Sequence, residues 1–175
     1  MTNLPSPQEI ADSAKLTYRT GDYSQAARQF AEAASAYAGS GDALMSAEMK
    51  NNQSVALLLA GEAQPALEVI EGTDKVFGDA QDFRRQGMAL ANRASALQAL
   101  KRTNEAITCY QEAGLSLEKA GEGDLRADVM QQLAMLQLRR FKFYDAIIAL
   151  QSGMAGVTKP SLRQRIMKKI LSIHL

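Results

Sequence analysis

The chain repeats with a period of 40 residues, and this period constrains its fold more than any other feature. When the sequence is shifted by 40 positions, a column of alanines aligns, and a column of large side chains aligns four residues after it. Earlier in each unit, a third column holds small residues. The three columns are Ala26, Ala66, Ala106 and Ala146; Phe30, Ile70, Tyr110 and Leu150; and Ala14, Ser54, Ala94 and Ala134. A register kept through four units predicts a tandem array.

Each unit is predicted to form two helices joined by a short polar break. Apolar residues recur at helical spacing, as at Ala26, Phe30 and Ala33. Aromatic residues make up only 6% of the chain, and tryptophan is absent, a composition that disfavours sheets. The predicted first helices cover about residues 7–19, 43–60, 82–100 and 123–140, and the second helices about 23–38, 63–77, 104–119 and 143–154. The sequence therefore predicts an all-α fold of about four helical hairpins.

The pairing of small and large residues explains how the hairpins assemble. A small residue such as Ala26 lets two helix backbones approach closely, and Phe30, one turn later, fills the groove beside it. One hairpin cannot bury this apolar stripe alone, because the stripe needs a neighbouring hairpin against it. We therefore expect the hairpins to stack into a solenoid.

The start of each second helix resembles the tetratricopeptide repeat (TPR). That family has a turn, then an alanine, an aromatic residue four positions later and a further alanine. Residues 21–33 of this chain read GDYSQAARQFAEA and match this pattern. Weaker copies begin at residues 61, 101 and 141. The resemblance implies a right-handed α-solenoid of about four TPR-like hairpins. A TPR unit has ~34 residues, so the longer period is similar to the TPR-like subgroup that includes kinesin light chains. A HEAT-like array, with ~40 to 47 residues per unit, is the alternative.

Charge and cysteine content narrow the function classes. The net charge of +1 argues against a general nucleic-acid-binding surface. A single cysteine, Cys109, excludes an intrachain disulfide and fits a reducing compartment. The N-terminal MTNLPSPQEI lacks the basic and apolar regions of a signal peptide, and the longest apolar run, VALLLA at 55–60, is too short to span a bilayer. We therefore expect a cytoplasmic protein without a nucleic-acid or membrane partner.

No group of residues predicts catalysis. His174 is the only histidine, so a zinc ligand set is missing, and Cys109 has no histidine near it in sequence. The chain also has no glycine-rich phosphate-binding motif. The sequence predicts a protein that is not an enzyme, with no catalytic residue, no metal site and no cofactor.

A polar column on the first helices is the candidate peptide-binding site. Steps of 40 residues give Asp12, Asn52, Asn92 and Gln132. The TPR resemblance implies that this column faces a concave groove, where asparagines of the kinesin-light-chain-like subgroup form a ladder along an extended ligand. An amide both donates and accepts hydrogen bonds, so it can bind any peptide unit. The alternative is intramolecular, with Asn52 and Asn92 bridging adjacent helices and holding the stack together.

Other side chains are expected on the same groove face, because they lie near the column at helical spacing. They give the groove a mixed charge, with basic character near both ends. They are Lys15, Arg19, Glu48, Asn51, Met88, Ser95, Gln98, Asp128, Gln131, Met135 and Arg139.

The C-terminal segment, residues 158–175, differs from the repeats. Five basic residues and no acidic residue lie within 159–175, and Leu162, Ile166, Ile170 and Ile173 form an apolar stripe. We expect a capping helix that covers the end of unit four, because solenoids need such a cap. This helix and the repeat region, residues 1–157, would form one domain. The four repeat units cover about residues 7–40, 41–80, 81–120 and 121–157. The alternative is a basic amphipathic helix for an acidic membrane or partner.

These observations favour a non-catalytic interaction scaffold or adaptor. Its groove would bind an extended peptide or a helix of a partner protein. The alternative function is a self-associating structural or regulatory subunit, a homo-oligomer that uses its ends or its C-terminal helix. An enzyme with its site in the groove is a third, weaker class.

Overall fold

The computed structural model describes residues 5–157 and, beyond them, Pro160, Arg165 and Lys169. Residues 5–157 contain nine α-helices and no strand, which confirms the predicted all-α class. The helices are α1 (Pro7–Arg19), α2 (Tyr23–Gly39), α3 (Ala43–Leu59), α4 (Ala63–Ile70), α5 (Thr73–Asp79), α6 (Phe83–Ala99), α7 (Thr103–Lys119), α8 (Gly123–Arg139) and α9 (Phe143–Met154). Most of the capping helix predicted at 158–175 lies outside the described residues.

A step of 20 residues, half the period found in the sequence, governs the turns. With the exception of α5, the helices from α2 onward begin at residues 23, 43, 63, 83, 103, 123 and 143. Two residues before each start, the backbone has a positive φ, and these positions are Gly21, Gly41, Gly61, Gln81, Lys101, Gly121 and Phe141. The sequence shows only the longer period, because the two helices of a hairpin share the spacing of their turns but carry different side chains.

Hydrogen bonds at these turns explain the left-handed residue. The amide of Asp42 donates to the carbonyl of Tyr37 at 2.9 Å, and the amide of Arg102 donates to Leu97 at 2.9 Å. A bond over five residues satisfies a helix-end carbonyl and requires a left-handed residue just before the donor. Asp22, Asp42 and Asp82 then cap the next helix through their side chains.

The second helix of unit two is the one place where the predicted helices were wrong. A single helix over 63–77 was expected, but the chain breaks between α4 and α5. Gly72 has φ 79°, which a residue without Cβ adopts at little cost. The Thr73 hydroxyl donates to the carbonyl of Ile70 at 2.8 Å and so satisfies the interrupted end of α4.

Small residues bring the helices together as predicted. The alanine column, Ala26, Ala66, Ala106 and Ala146, is buried throughout. Ser54, from the earlier column, donates its hydroxyl to the carbonyl of Ala66 at 2.7 Å, which requires close approach of α3 and α4. A Cβ on Gly87 would lie 2.6 Å from Cγ of Leu117, so α6 and α7 are equally close.

The core runs along the array as two large clusters and a small third one, which joins α3, α5 and α6 through Ala47, Phe77 and Ala89. One large cluster lies among α1, α2 and α3, and the other is shared by α4, α6, α7, α8 and α9. Leu57 packs against both large clusters and links them. Each helix therefore contacts mainly its sequence neighbours, which leaves one long side of α1, α3 and α6 available for a site.

Candidate functional site

A cavity of about 520 Å³ lies where the first helices of the first three units meet. Helix α1 contributes Lys15, Tyr18 and Arg19, α3 contributes Asn51, Asn52 and Val55, α6 contributes Met88 and Asn92, and Phe30 of α2 closes the base. We call this cavity the amide pocket. Its volume falls within the range of ~300–1,000 Å³ that is usual for ligand sites.

Three asparagine side chains form the polar part of the amide pocket. Nδ2 of Asn92 donates to Oδ1 of Asn51 at 3.1 Å, a bond that joins α6 to α3. Asn51 is only 7% exposed, so its carbonyl oxygen is held for this purpose. The side chain of Asn52 makes no hydrogen bond with any described residue. One amide braces the stack and its neighbour lines the pocket with its hydrogen-bonding groups free.

This arrangement refines the bracing alternative. Asn92 does bridge two helices, but its partner is Asn51 rather than Asn52. Adjacent residues on a helix point about 100° apart, so Asn51 and Asn52 serve different neighbours. The bracing role therefore belongs to Asn51 and Asn92, and ligand binding by Asn52 stays a prediction.

Basic side chains from α1 form one rim of the amide pocket. Nζ of Lys15 lies 3.0 Å from Oδ1 of Asp12, and Nε2 of Gln8 also donates to that carboxylate. The bond from Gln8, followed by the bond from Lys15, lowers the pKa of Asp12 below its ordinary value. Arg19 is exposed and forms no ion pair with a described residue. The uncompensated cation at this rim is therefore Arg19.

Apolar side chains make up the rest of the amide pocket wall. Phe30 is 3% exposed and belongs to the first core cluster, while Tyr18, Val55 and Met88 are half-buried. The Tyr18 ring meets the Tyr23 ring edge-on at 5.4 Å between centroids, which fixes its position beside the cavity. The pocket thus offers an apolar surface next to a free amide and a cation.

Ion pairs hold α6 in place against α3 next to this site. Arg85 of α6 bonds Oε2 of Glu48 in α3 at 3.0 Å and Oδ2 of its own N-cap Asp82 at 2.6 Å. Burial raises the pKa of Asp82, but the hydrogen bonds from the Arg85 amide and guanidinium outweigh it, so the pKa lies below its ordinary value. This network links α3 to α6 beside the amide pocket.

Five of the nine residues predicted to bind a peptide line the amide pocket. They are Lys15, Arg19, Asn51, Asn52 and Asn92. Asp12 stands beside the pocket through its bond to Lys15 but does not line it. Gln132, Met135 and Arg139 are exposed on α8 and do not line it either. The ladder over all four units therefore remains a prediction.

Two further groove candidates have other partners. Ser95 and Gln98 both contact the hydroxyl of Tyr110, at 3.2 and 3.3 Å, and so hold α6 to α7. The pocket residues absent from the sequence-based prediction are Tyr18, Phe30 and Val55. Tyr18 and Val55 lie three or four residues from predicted members, so helical spacing could have identified them.

The titratable groups do not assemble into a reactive centre among the described residues. No group of three or more His, Cys, Asp or Glu side chains there could hold a metal ion. Cys109 is buried on α7, and burial raises the pKa of its thiol. What the amide pocket can do chemically is therefore to donate and accept hydrogen bonds, bury apolar groups and attract negative charge.

Comparison with known proteins identifies the fold. No family model matches the chain, and no curated protein sequence matches it. Two crystal structures of a Podosopora anserina protein, assigned as a kinesin light chain with nearly identical TPR-like repeats, are similar to it with a TM-score of 0.75. Sequence identity is 14% in both, and the matches cover 98% and 97% of this chain and 87% of the other. The chain therefore has a TPR-like α-solenoid fold.

Proposed function

We propose that the chain is a non-catalytic interaction scaffold that binds an extended peptide, or a helix of a partner protein, along α1, α3 and α6. The observation that supports this most directly is Asn52, a half-buried amide in the pocket with no hydrogen-bond partner among the described residues. A ligand that covers this amide must hydrogen-bond it, because burying the amide without a partner would cost free energy. A peptide unit does so, because it offers both a donor and an acceptor.

The rest of the amide pocket gives this ligand its character. Tyr18, Val55 and Met88 would receive one apolar side chain, and Arg19 would attract a carboxylate beside it. Met88 has a flexible thioether side chain that adapts to different ligand shapes. Main-chain bonds would provide affinity and the apolar wall selectivity, as in other modes of peptide recognition. The single buried Cys109 fits a reducing, cytoplasmic location.

Selection from a random peptide library on the immobilised chain tests this proposal. We expect the selected peptides to lose about fivefold in affinity when Asn52→Ala removes the free amide, since one hydrogen bond contributes ~1 kcal/mol. Arg19→Gln should weaken the acidic peptides among them. The matched control is Asn104→Ala, which changes an exposed asparagine on α7 away from the pocket. Peptides that bind Asn52→Ala and Arg19→Gln as tightly as the wild type would place binding elsewhere and contradict the proposal.

A further inference from the structure

The fourth hairpin carries apolar residues where the other three hairpins carry mostly polar residues or glycine. The residues are Phe141 in its turn and Tyr144 and Ile148 on α9. In the three earlier units, the position of Phe141 holds Lys101, Gly61 and Gly21. The position of Tyr144 holds Asn104, Gln64 and Ser24, and that of Ile148 holds Thr108, Glu68 and Arg28. All twelve positions are exposed. The hairpin fold therefore forms without large apolar groups at these places, and core packing does not explain them.

Phe141 is the clearest case. Its ring is 81% exposed, and its backbone φ is 60°, in the left-handed region that bulky residues rarely adopt. Its ring meets that of Phe143 edge-on, with 6.4 Å between centroids, so two aromatic side chains project together from the turn. The turn imposes this φ, since Gln81 and Lys101 adopt it in equivalent turns, but it does not require a large apolar ring, and exposed apolar area of this kind is typical of functional surfaces. We call Phe141, Phe143, Tyr144 and Ile148 the turn patch.

Positive charge surrounds the turn patch. Arg139, Arg140 and Lys142 are exposed, and none of them forms an ion pair with a described residue. Residues 139–175 contain eight basic residues and one acidic residue, Asp145, whereas residues 1–138 contain twelve basic and eighteen acidic residues. The chain is thus divided into a negative and a positive part. Such asymmetry favours an anionic surface as the partner of the positive part.

Charge and side-chain type argue against three other occupants of the turn patch, namely a second copy, residues 159–175 of this chain and nucleic acid. A second copy would bring the same three cations against one another, and residues 159–175 of this chain are also basic, so both would be repelled. Nucleic acid would stack on the aromatic rings but would gain little from Ile148 and the neighbouring exposed Leu138.

We propose that the turn patch docks the chain on the anionic surface of a lipid bilayer. The rings of Phe141, Phe143 and Tyr144 enter the boundary between headgroups and acyl chains, and the flanking cations meet lipid phosphates and carboxylates. No helix among the described residues is long and apolar enough to cross a membrane, and docking on the surface requires none. The expectation against a membrane partner was based on the N-terminal residues and on the short apolar run at 55–60, and neither bears on docking at the surface.

Vesicle sedimentation with the full chain tests the proposal. The wild type should sediment with phosphatidylcholine vesicles that contain phosphatidylserine and stay in solution with phosphatidylcholine alone. A triple variant, Phe141→Gly, Tyr144→Asn and Ile148→Thr, installs residues that the second and third units carry at these positions. It should keep the fold and lower the partition coefficient about tenfold or more. Arg140→Gln with Lys142→Gln should lower it by about tenfold at low salt.

Matched controls separate the turn patch from apolar surface in general. Leu59→Gln and Leu115→Ser remove other exposed apolar side chains and should leave sedimentation unchanged. Because the chain has no tryptophan, Tyr144→Trp creates a unique fluorescent reporter. Its emission should shift to shorter wavelength on phosphatidylserine vesicles, whereas Asn104→Trp, at the same position one unit earlier, should not shift.

Several outcomes would overturn the proposal. They are a wild type that does not sediment with phosphatidylserine vesicles, a triple variant that sediments as well as the wild type, and equal binding to neutral vesicles. Loss of binding on Arg165→Gln with Lys169→Gln, while the triple variant still binds, would assign the membrane contact to the C-terminal segment instead. The turn patch shares no residue with the amide pocket, so this result and the peptide-binding result can fail independently.

Discussion

The amide pocket and the turn patch combine aromatic rings with cations in opposite ways. In the pocket, polar amides lie inside the array, between helices whose apolar faces meet. On the turn patch, apolar rings lie outside, and at the position of Phe141 the other units have glycine or lysine. In a repeated chain the common pattern is what folding requires. The outward rings of Phe141 and Tyr144 depart from it and therefore point to binding, whereas Asn52 follows the pattern and is set apart by its lack of a hydrogen-bond partner among the described residues.

Two phenylalanines show the difference most clearly. Phe30 is 3% exposed and fills the base of the pocket, whereas Phe141 is almost fully exposed at a turn. Phe30 belongs to the 40-residue column of large side chains, whereas the positions equivalent to Phe141 hold Lys101, Gly61 and Gly21. The neighbours of each ring decide whether the ring is part of the core, and the effect of its removal on the free energy of unfolding should report this.

The largest expected effect compares an aromatic side chain from each region. Phe30→Ala should lower the free energy of unfolding by ~3–5 kcal/mol, because it leaves a cavity in the first core cluster. Tyr144→Asn, which installs the residue of unit three, should change it by less than ~0.5 kcal/mol. Urea denaturation followed by circular dichroism measures both. Equal losses would mean that the turn patch is part of the core and would end the contrast.

A smaller effect is expected at the N-caps of α6, which lines the amide pocket, and of α8, which precedes the turn patch. Asp82 caps α6 with its carboxylate 2.9 Å from the Arg85 amide, whereas Glu122, before α8, makes no side-chain cap. Asp82→Ala should lower the free energy of unfolding by ~1 kcal/mol, and Glu122→Ala by less than ~0.5 kcal/mol. Thermal unfolding of the two variants near neutral pH measures both losses of stability.

The same pair gives a pH dependence with a definite sign. Because the pKa of Asp82 is lowered in the folded chain, its contribution is fully present above the unfolded pKa of ~3.9 and is lost as pH falls through the folded value. The stability difference between wild type and Asp82→Ala should therefore shrink in acid. A difference that stays constant down to about pH 2 would show that the carboxylate charge does not contribute.

The smallest expected effect separates the two adjacent amides. Asn51→Ala removes the acceptor of Asn92 and should lower the free energy of unfolding by ~0.5–1 kcal/mol. Asn52→Ala breaks no bond among the described residues, and alanine is the better helix former, so stability should stay equal or rise by up to ~0.5 kcal/mol. Thermal melting of the two variants side by side decides this. A larger loss for Asn52→Ala would make Asn52 structural and leave the amide pocket without its free ligand group.

Much of the architecture could be predicted from local patterns. Glycine and aspartate near residues 21, 41 and 121 indicated turns, and the buried alanine column indicated where helices approach. The break at Gly72 was missed, because a glycine within an otherwise apolar, helical pattern is often tolerated. The 20-residue step was missed as well, because Gln81, Lys101 and Phe141 adopt the left-handed turn conformation without being glycine.

The sequence by itself determined the helices, their pairing into hairpins and the faces that meet, because helical periodicity and residue size act over a few neighbouring positions. Only the tertiary structure decided that Asn51 braces α6 while Asn52 faces a cavity, and that the Phe141 ring stays in solvent. These outcomes depend on where a neighbouring helix comes to rest. Its position follows from packing summed over the whole interface, which no single residue or spacing encodes.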